Sequence, residues 1–366
     1  MGEHPIVPDY SGACLCNVAP ALLEGDGESP TWLPVGVTEA EQVVLLLLDG
    51  LGWEQLQERL TGAPTLAGLT GGSILTVAPS TTATALTSLA TGLPPGEHGI
   101  VGYRMAMGAD VLNVLRWSAP GRDARESFPP ARIQQTTSFC GHRPAIVTRA
   151  EFRSSGFTQA HLDGVRFHGY RVTSTLTTEI ARRLAENEPF IYAYYDGIDK
   201  VAHEYGLGEH YDAELRFVDD LVAQIIEMLP PGASLVVTSD HGQVDVGDRT
   251  YELGPDLLRH IEMQSGEGRF RWLHARPGHE RDLLDAASDS YRDVGWVVGV
   301  ETMLDEGWFG PKVTDAARER LGDVALLARE PIAWLAGDDT GPYTLIARHG
   351  SLTPAEMLVP LLAYCR

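Results

Sequence analysis

Carboxylates, imidazoles and hydroxyls recur along this chain at the places where apolar runs end. Val43–Leu48 leads into Asp49-Gly-Leu-Gly, and Phe190–Tyr195 into Asp196-Gly-Ile-Asp199-Lys-Val-Ala-His203. Ser234–Ser239 leads into Asp240-His241-Gly242, and Ser73–Val77 into Ala78-Pro79-Ser80-Thr81-Thr82. A late Arg348-His349-Gly350 completes the set. Asp199 and His203 are spaced i, i+4, so on a helix they share one face, as a surface pair or as two ligands of one ion. Asp240 and His241 would point to opposite faces inside a strand; a sharp turn at Gly242 lets both reach one ion. Sorted by charge and geometry, Asp49, Asp240 and His241 form one ligand set, and Asp199, His203 and His349 another. Mixed carboxylate and imidazole ligands suit Zn²⁺, or else Mn²⁺, better than Ca²⁺ or Mg²⁺. Two ions ~4 Å apart clamp the attacking and leaving oxygens of an in-line phosphoryl transfer. A hydroxyl at a helix start supplies a nucleophile, placed against the positive helix end.

Each feature alone has a plainer reading. Asp49 and Asp196 could cap helices or close Asx turns, and Asp196 is left in that role. A hydroxyl at Ser80, Thr81 or Thr82 is ordinary before a helix, and an isolated His349 proves nothing. Only the set together points to a metal centre.

The elements that position these residues alternate. Val43–Leu48 reads as a buried strand, Trp53–Leu60 as a helix, Ser73–Val77 as a strand and Ala83–Thr91 as a helix ended by Gly92. A helix near 173–187, the strand Phe190–Tyr195, a helix over 209–229 and the strand Ser234–Ser239 follow. In the long helix Leu215, Val218, Val222, Ile225 and Leu229 make one apolar stripe. Tyr343–Tyr364 returns to the same pattern. Alternating strands and helices predict an α/β fold: a mostly parallel central sheet with helices on both faces. Ligands in such sheets bind at the carboxyl ends of the strands. The expected organisation is one domain over 1–366, with core segments at about 43–103, 173–250 and 341–366. Insertions fall at about 104–172 and 251–340, the second mixing short strands and helices.

Composition limits the partners. With 366 residues, 43% of them hydrophobic, the chain buries a large core, and it carries a net charge of −22. That acidity disfavours docking on nucleic acid or an anionic membrane, since both need a basic surface. The only lysines, Lys200 and Lys312, lie outside any GxxxxGK loop, which removes P-loop chemistry. No apolar run approaches the ~20 residues that span a bilayer, and the N-terminal residues lack a signal-peptide pattern, so a cytoplasmic location is expected. Four cysteines, Cys14, Cys16, Cys140 and Cys365, make no disulfide framework in a chain this long. The sequence leaves the oligomeric state open.

The ordered motifs resemble the alkaline phosphatase superfamily, and within it the nucleotide pyrophosphatase/phosphodiesterase branch. The resemblance is carried by Asp49, then Ala78-Pro-Ser-Thr-Thr-Ala-Thr-Ala-Leu-Thr-Ser-Leu-Ala-Thr-Gly92, then His98-Gly99-Ile100. Asp199-x-x-x-His203, Asp240-His241-Gly242 and His349-Gly-Ser-Leu-Thr-Pro-Ala-Glu356 complete it, so that it spans about residues 43–360. It implies that Thr82 is the nucleophile, with Thr81 the neighbour to test, and that the six Asp and His residues bind two metals. It also implies a small phosphorylated or nucleotide-like substrate. That branch carries an Asn three residues past His-Gly-Ile, where this chain has Tyr103 followed by Arg104. Tyr donates one hydrogen bond and Arg a charge-assisted pair, so these two are the candidate phosphate-binding residues. The sulfatase signature is absent. Thr353-Pro-Ala-Glu356 reads as a capping box with Pro at the first helical position. The expected reaction is hydrolysis of phosphodiesters or nucleotide pyrophosphates through a phospho-threonine. A phosphomonoesterase, phosphonate hydrolase or phosphomutase on the same site is the alternative enzyme reading. A metal-stabilised binder of a phosphorylated metabolite is the non-catalytic one.

Overall fold

The computed structural model describes residues 4–25, 29–337 and 345–366. Tyr343, where the last core segment was expected to begin, lies outside the described residues, as do Met1–Glu3 at the amino end. Among the described residues seven strands make the central sheet: β1 (Gln42–Leu48), β2 (Thr70–Leu75), β3 (Ala145–Arg149), β4 (Arg166–Tyr170), β5 (Phe190–Tyr195), β6 (Ala233–Thr238) and β7 (Leu358–Cys365). Their order is β2-β7-β6-β1-β5-β3-β4. Only β7 is reversed, antiparallel to both β6 and β2. The other pairings are parallel.

The aliphatic run of β1 follows from its position. Val43, Leu45 and Leu47 enter the core on one face of the sheet, and Val44, Leu46 and Leu48 the core on the other. A strand covered on both sides needs apolar residues at every position, and each buried aliphatic side chain contributes about 1.5–3 kcal/mol. Three helices matter for the site: α1 (Thr82–Thr91), α2 (Gly197–Tyr205) and α3 (Glu209–Met228). Every residue of α1 is buried, and Gly92 ends it in the left-handed region at φ +70°. In α3, Leu215, Val218, Val222 and Ile225 pack into the second core, as their spacing predicts.

The structure differs from the sequence expectation in three places. First, 145–170 is not insertion, because it supplies β3 and β4 to the central sheet. The apolar run of β3 is short, and β4 is an edge strand carrying Arg166 and His168, so neither has the pattern of a buried strand. Second, Ser73–Val77 is offset from β2, a half-exposed edge strand that begins in Thr70-Gly71-Gly72, where no apolar pattern exists. Third, Thr353 makes no side-chain cap on the short helix Pro354–Met357. Its hydroxyl instead donates to Glu356 Oε2 at 2.6 Å, and Arg269 donates to both oxygens of that carboxylate at 2.7 and 2.8 Å.

The remaining insertions are small sheets. Arg104–Met107, Asp110–Asn113, Ser118–Ala119 and Arg122–Asp123 form one antiparallel four-stranded sheet. Between 251 and 340, Ile261–Gly266, Phe270–Ala275, Val324–Ala328 and Gly295–Gly299 form another, with its own core around Leu273, Leu326 and Trp334. Among the described residues no helix is long and apolar enough to cross a membrane. All four cysteines are free, with Cys14 and Cys16 wholly buried in the core.

Candidate active site

The sheet order places β5 and β6 on either side of β1, so three carboxyl ends meet at one point. Ligands of such sheets bind beyond the carboxyl ends of the strands. Asp49 directly follows β1, and its N–H donates to Tyr195 O at 2.9 Å, continuing the ladder by one residue. Gly50 then turns at φ +76°; a Cβ there would stand 2.9 Å from the Cβ of Asp199, so only glycine lets the two loops approach. Asp199 and His203 sit one turn apart on α2, as their spacing predicts. Asp240 and His241 follow β6, and His349 stands on the late loop.

All six side chains converge. Asp199, His203 and His349 present ligand atoms within 4.8 Å of one another, and so do Asp49, Asp199 and His241. Asp199 therefore belongs to both groups, where the sequence set it in one. Asp240 joins through His241, whose Nε2 lies 3.4 Å from Asp240 Oδ2 and 3.4 Å from Asp49 Oδ1. The rings of His241 and His349 stack with centroids 3.5 Å apart, which makes the two groups contiguous.

The hydrogen-bond pattern fixes what these groups offer. His203 Nδ1 faces Ala347 O at 2.7 Å, His241 Nδ1 faces Gly242 O at 3.0 Å, and His349 Nδ1 faces Ser80 O at 2.9 Å. A carbonyl only accepts, so each Nδ1 carries the proton and each Nε2 keeps a lone pair. Among the described residues Asp49 Oδ1 and Asp240 Oδ2 are buried and have no hydrogen-bond partner. Burial, then the charges of Asp240 and Asp199, pushes the Asp49 carboxyl well above its ordinary range, and burial raises Asp240. Burial and the neighbouring imidazoles push His349 well below the usual histidine value. Carboxylate oxygens without partners and imidazole lone pairs in one pocket are the donor set a divalent cation requires.

Thr82, the first residue of α1, is buried and places Oγ1 3.0 Å from His241 Nε2. Thr81 is the residue before the helix and makes no side-chain cap. Both line a cleft of about 820 Å³ together with Asp199, His203 and His349. Tyr103 and Arg104 line the same cleft from the small sheet at 104–123. Asp196 takes no part in the cluster and is paired with Lys200 and Arg149.

Sequence reading missed the residues that hold the ligands. Tyr194 donates to Asp49 Oδ2, its proton retained because burial and the Asp49 charge push the phenol well up. Gln243 Nε2 donates to Asp199 Oδ1 at 2.6 Å, and Ser239 Oγ accepts from Leu51 N at 3.0 Å. Position was the only available signal: each is within five residues of a ligand. A third group of suitable atoms, His260, His279 and Asp282, has a different explanation. Arg259 Nε donates to His260 Nε2, so His260 Nδ1 carries the proton it gives to His279 Nδ1 at 3.0 Å.

An open α/β sheet with aspartates, histidines and a helix-start threonine at its strand ends is the architecture of the alkaline phosphatase superfamily, in its nucleotide pyrophosphatase/phosphodiesterase branch. The chain belongs to the type I phosphodiesterase/nucleotide pyrophosphatase family, whose profile matches residues 43–352. Among solved structures it is similar to murine ectonucleotide pyrophosphatase/phosphodiesterase 5 (TM-score 0.67, 17% identity, 89% of this chain and 88% of that one). An inactive threonine-to-alanine variant of the same murine protein, in complex with AMP, matches with TM-score 0.68 and 16% identity over 88% of each chain. The human counterpart gives TM-score 0.66 and 16% identity, again over 88% of each chain. At such identities the likeness is one of fold. No curated protein matches the sequence. Family and fold are those of phosphodiesterase and pyrophosphatase enzymes.

Proposed function

We propose that the protein hydrolyses phosphodiesters or nucleotide pyrophosphates in a two-metal site, with Thr82 as nucleophile. One observation carries this reading. The unpartnered oxygens of Asp49 and Asp240 and the lone pairs of three histidines converge beside the Thr82 hydroxyl. Asp49, Asp240 and His241 would hold one ion and Asp199, His203 and His349 the other, with Zn²⁺ the first expectation and Mn²⁺ the second. When bound, the ions supply Lewis acidity and neutralise both the carboxylates and the charge developing on the phosphoryl group.

The chain's own residues do the rest. Thr82 Oγ1 gives up its proton to solvent and bonds to phosphorus while the bond to the leaving oxygen breaks, and that oxygen departs after taking up a proton from solvent. The phospho-threonine is then attacked by water; the phosphorus–Oγ1 bond breaks and the hydroxyl is restored. Thr82 enters from the start of α1, where the helix dipole favours an anion. Tyr103 and Arg104, which line the same cleft, donate to phosphoryl oxygens. The AMP held by the murine relative supports a nucleotide-like substrate here.

A phosphomonoesterase, phosphonate hydrolase or mutase would use the same groups. Rates on an aryl phosphodiester and the matching monoester, with metal analysis of the same sample, decide between them. The diester is expected to turn over faster with two ions per chain. A faster monoester moves the reading to phosphomonoesterase, and no turnover of either by the metal-loaded protein leaves a binder.

A further inference from the structure

Tyr103 stands three residues past His98-Gly99-Ile100, and the small sheet at 104–123 brings an asparagine against it from further along the chain. Tyr103 leads into the strand Arg104–Met107, which pairs antiparallel with Asp110–Asn113 so that Asn113 stands opposite Arg104. Val114 N donates to Tyr103 O at 2.9 Å and holds the two backbones together. Tyr103, Arg104 and Asn113 all line the cleft that contains Thr82.

The Asn113 amide has one orientation. Its Oδ1 accepts the Arg116 N–H at 3.0 Å, so the other end of the amide is the NH₂ group. That Nδ2 donates to Tyr103 Oη at 2.7 Å. A phenol has one proton, lying in the ring plane on one side of the oxygen or the other. With Nδ2 donating on one side, the proton is turned to the other. Among the described residues it has no acceptor, although the cleft is beside it.

We infer that Asn113 is a positioning residue that fixes the Tyr103 hydroxyl as a hydrogen-bond donor to a phosphoryl oxygen. Asn113 acts only through Tyr103. The inference rests on the phosphoester chemistry proposed for this cleft and adds the device by which this chain rebuilds a phosphate donor. An unoriented phenol would spend part of its time with its proton on the amide side or on water. The oriented one presents a donor before substrate arrives.

A double-mutant cycle tests it, read first as AMP affinity of the Zn²⁺-loaded protein by calorimetry and then as kcat/KM on an aryl phosphodiester. Leucine has the shape of asparagine without its polar atoms, and melting temperatures check that each variant folds. Asn113→Leu is expected to weaken AMP binding about threefold and Tyr103→Phe about tenfold, the range of one hydrogen bond to a charged group. The double variant should bind no more weakly than Tyr103→Phe, because no hydroxyl remains to be oriented. Independent, multiplying losses would overturn the inference, as would an Asn113→Leu variant with wild-type affinity. Coupled AMP binding without phosphodiester turnover would remove the proposed reaction and leave this assignment standing. Failure to bind AMP at all would remove both.

Discussion

The Thr82 hydroxyl lies 3.0 Å from His241 Nε2, the nitrogen left with a lone pair because His241 Nδ1 is engaged by the carbonyl of Gly242. The nucleophile candidate and a ligand candidate thus share one hydrogen bond, although 159 residues separate them in the chain. The segment that leads into α1 is tied to that strand end by Thr76, whose hydroxyl donates to Asp240 O.

Asp49, Asp240 and Asp199 crowd one buried pocket, and without a cation their charges oppose one another. Asp49→Asn should therefore raise the stability of the chelator-treated protein, by on the order of 1 kcal/mol or more. The same change should lower metal content and activity. Urea unfolding in the presence and absence of a chelator, beside metal analysis, checks both halves. An Asn variant that is less stable than wild type without metal would contradict the account.

Two buried histidines outside the metal cluster set an acid limit. Burial pushes His98 down to about 3 and His161 to about 4 from an ordinary 6.5. Their folded values are depressed, so the unfolded chain binds more protons between about 3 and 6.5, and stability falls as pH drops through that window. The raised Asp49 carboxyl acts in the opposite sense without metal. The histidine contribution is therefore best read in the Asp49→Asn protein, by unfolding at a series of pH values. Imidazole signals of His98 and His161 should show no titration above pH 5 by NMR.

Arg269 and Glu356 are both wholly buried and pair across 87 residues, tying the lobe at 251–340 to the loop that carries His349. Glu356 Oε1 also accepts Ser351 N at 2.9 Å, two residues from that histidine. Arg269→Met leaves a buried carboxylate without its partner and should cost about 3–5 kcal/mol. Arg269→Met with Glu356→Leu should recover much of that loss. Denaturant midpoints of the two variants make the comparison, and equal midpoints would show that the pair is not coupled.

The sheet was legible where strands are buried on both faces. Val43–Leu48 and Phe190–Tyr195 have no polar residue to confuse the pattern, and the ligand motifs follow them immediately. β4 was not legible, because an edge strand with Arg166 and His168 alternates weakly and looks like loop. The six metal-ligand candidates could be read because Asp and His at strand ends are conspicuous. Asp199 standing between both groups was not readable, since that depends on how closely Gly50 lets two loops approach. Tyr194 and Gln243 carry no motif of their own. Asn113 was invisible for a third reason: its relation to Tyr103 arises from a strand register, which no local pattern states.

The central claim is that Thr82 carries the phosphoryl group. Rapid quenching of the metal-loaded protein during turnover of a nucleotide pyrophosphate or aryl phosphodiester, followed by peptide mass spectrometry, tests it directly. The account predicts a nucleotidyl or phosphoryl adduct on Thr82 in wild type, and none in Thr82→Ala, which should lose turnover but keep its metal. An adduct on Thr81, or full turnover by Thr82→Ala, would contradict it.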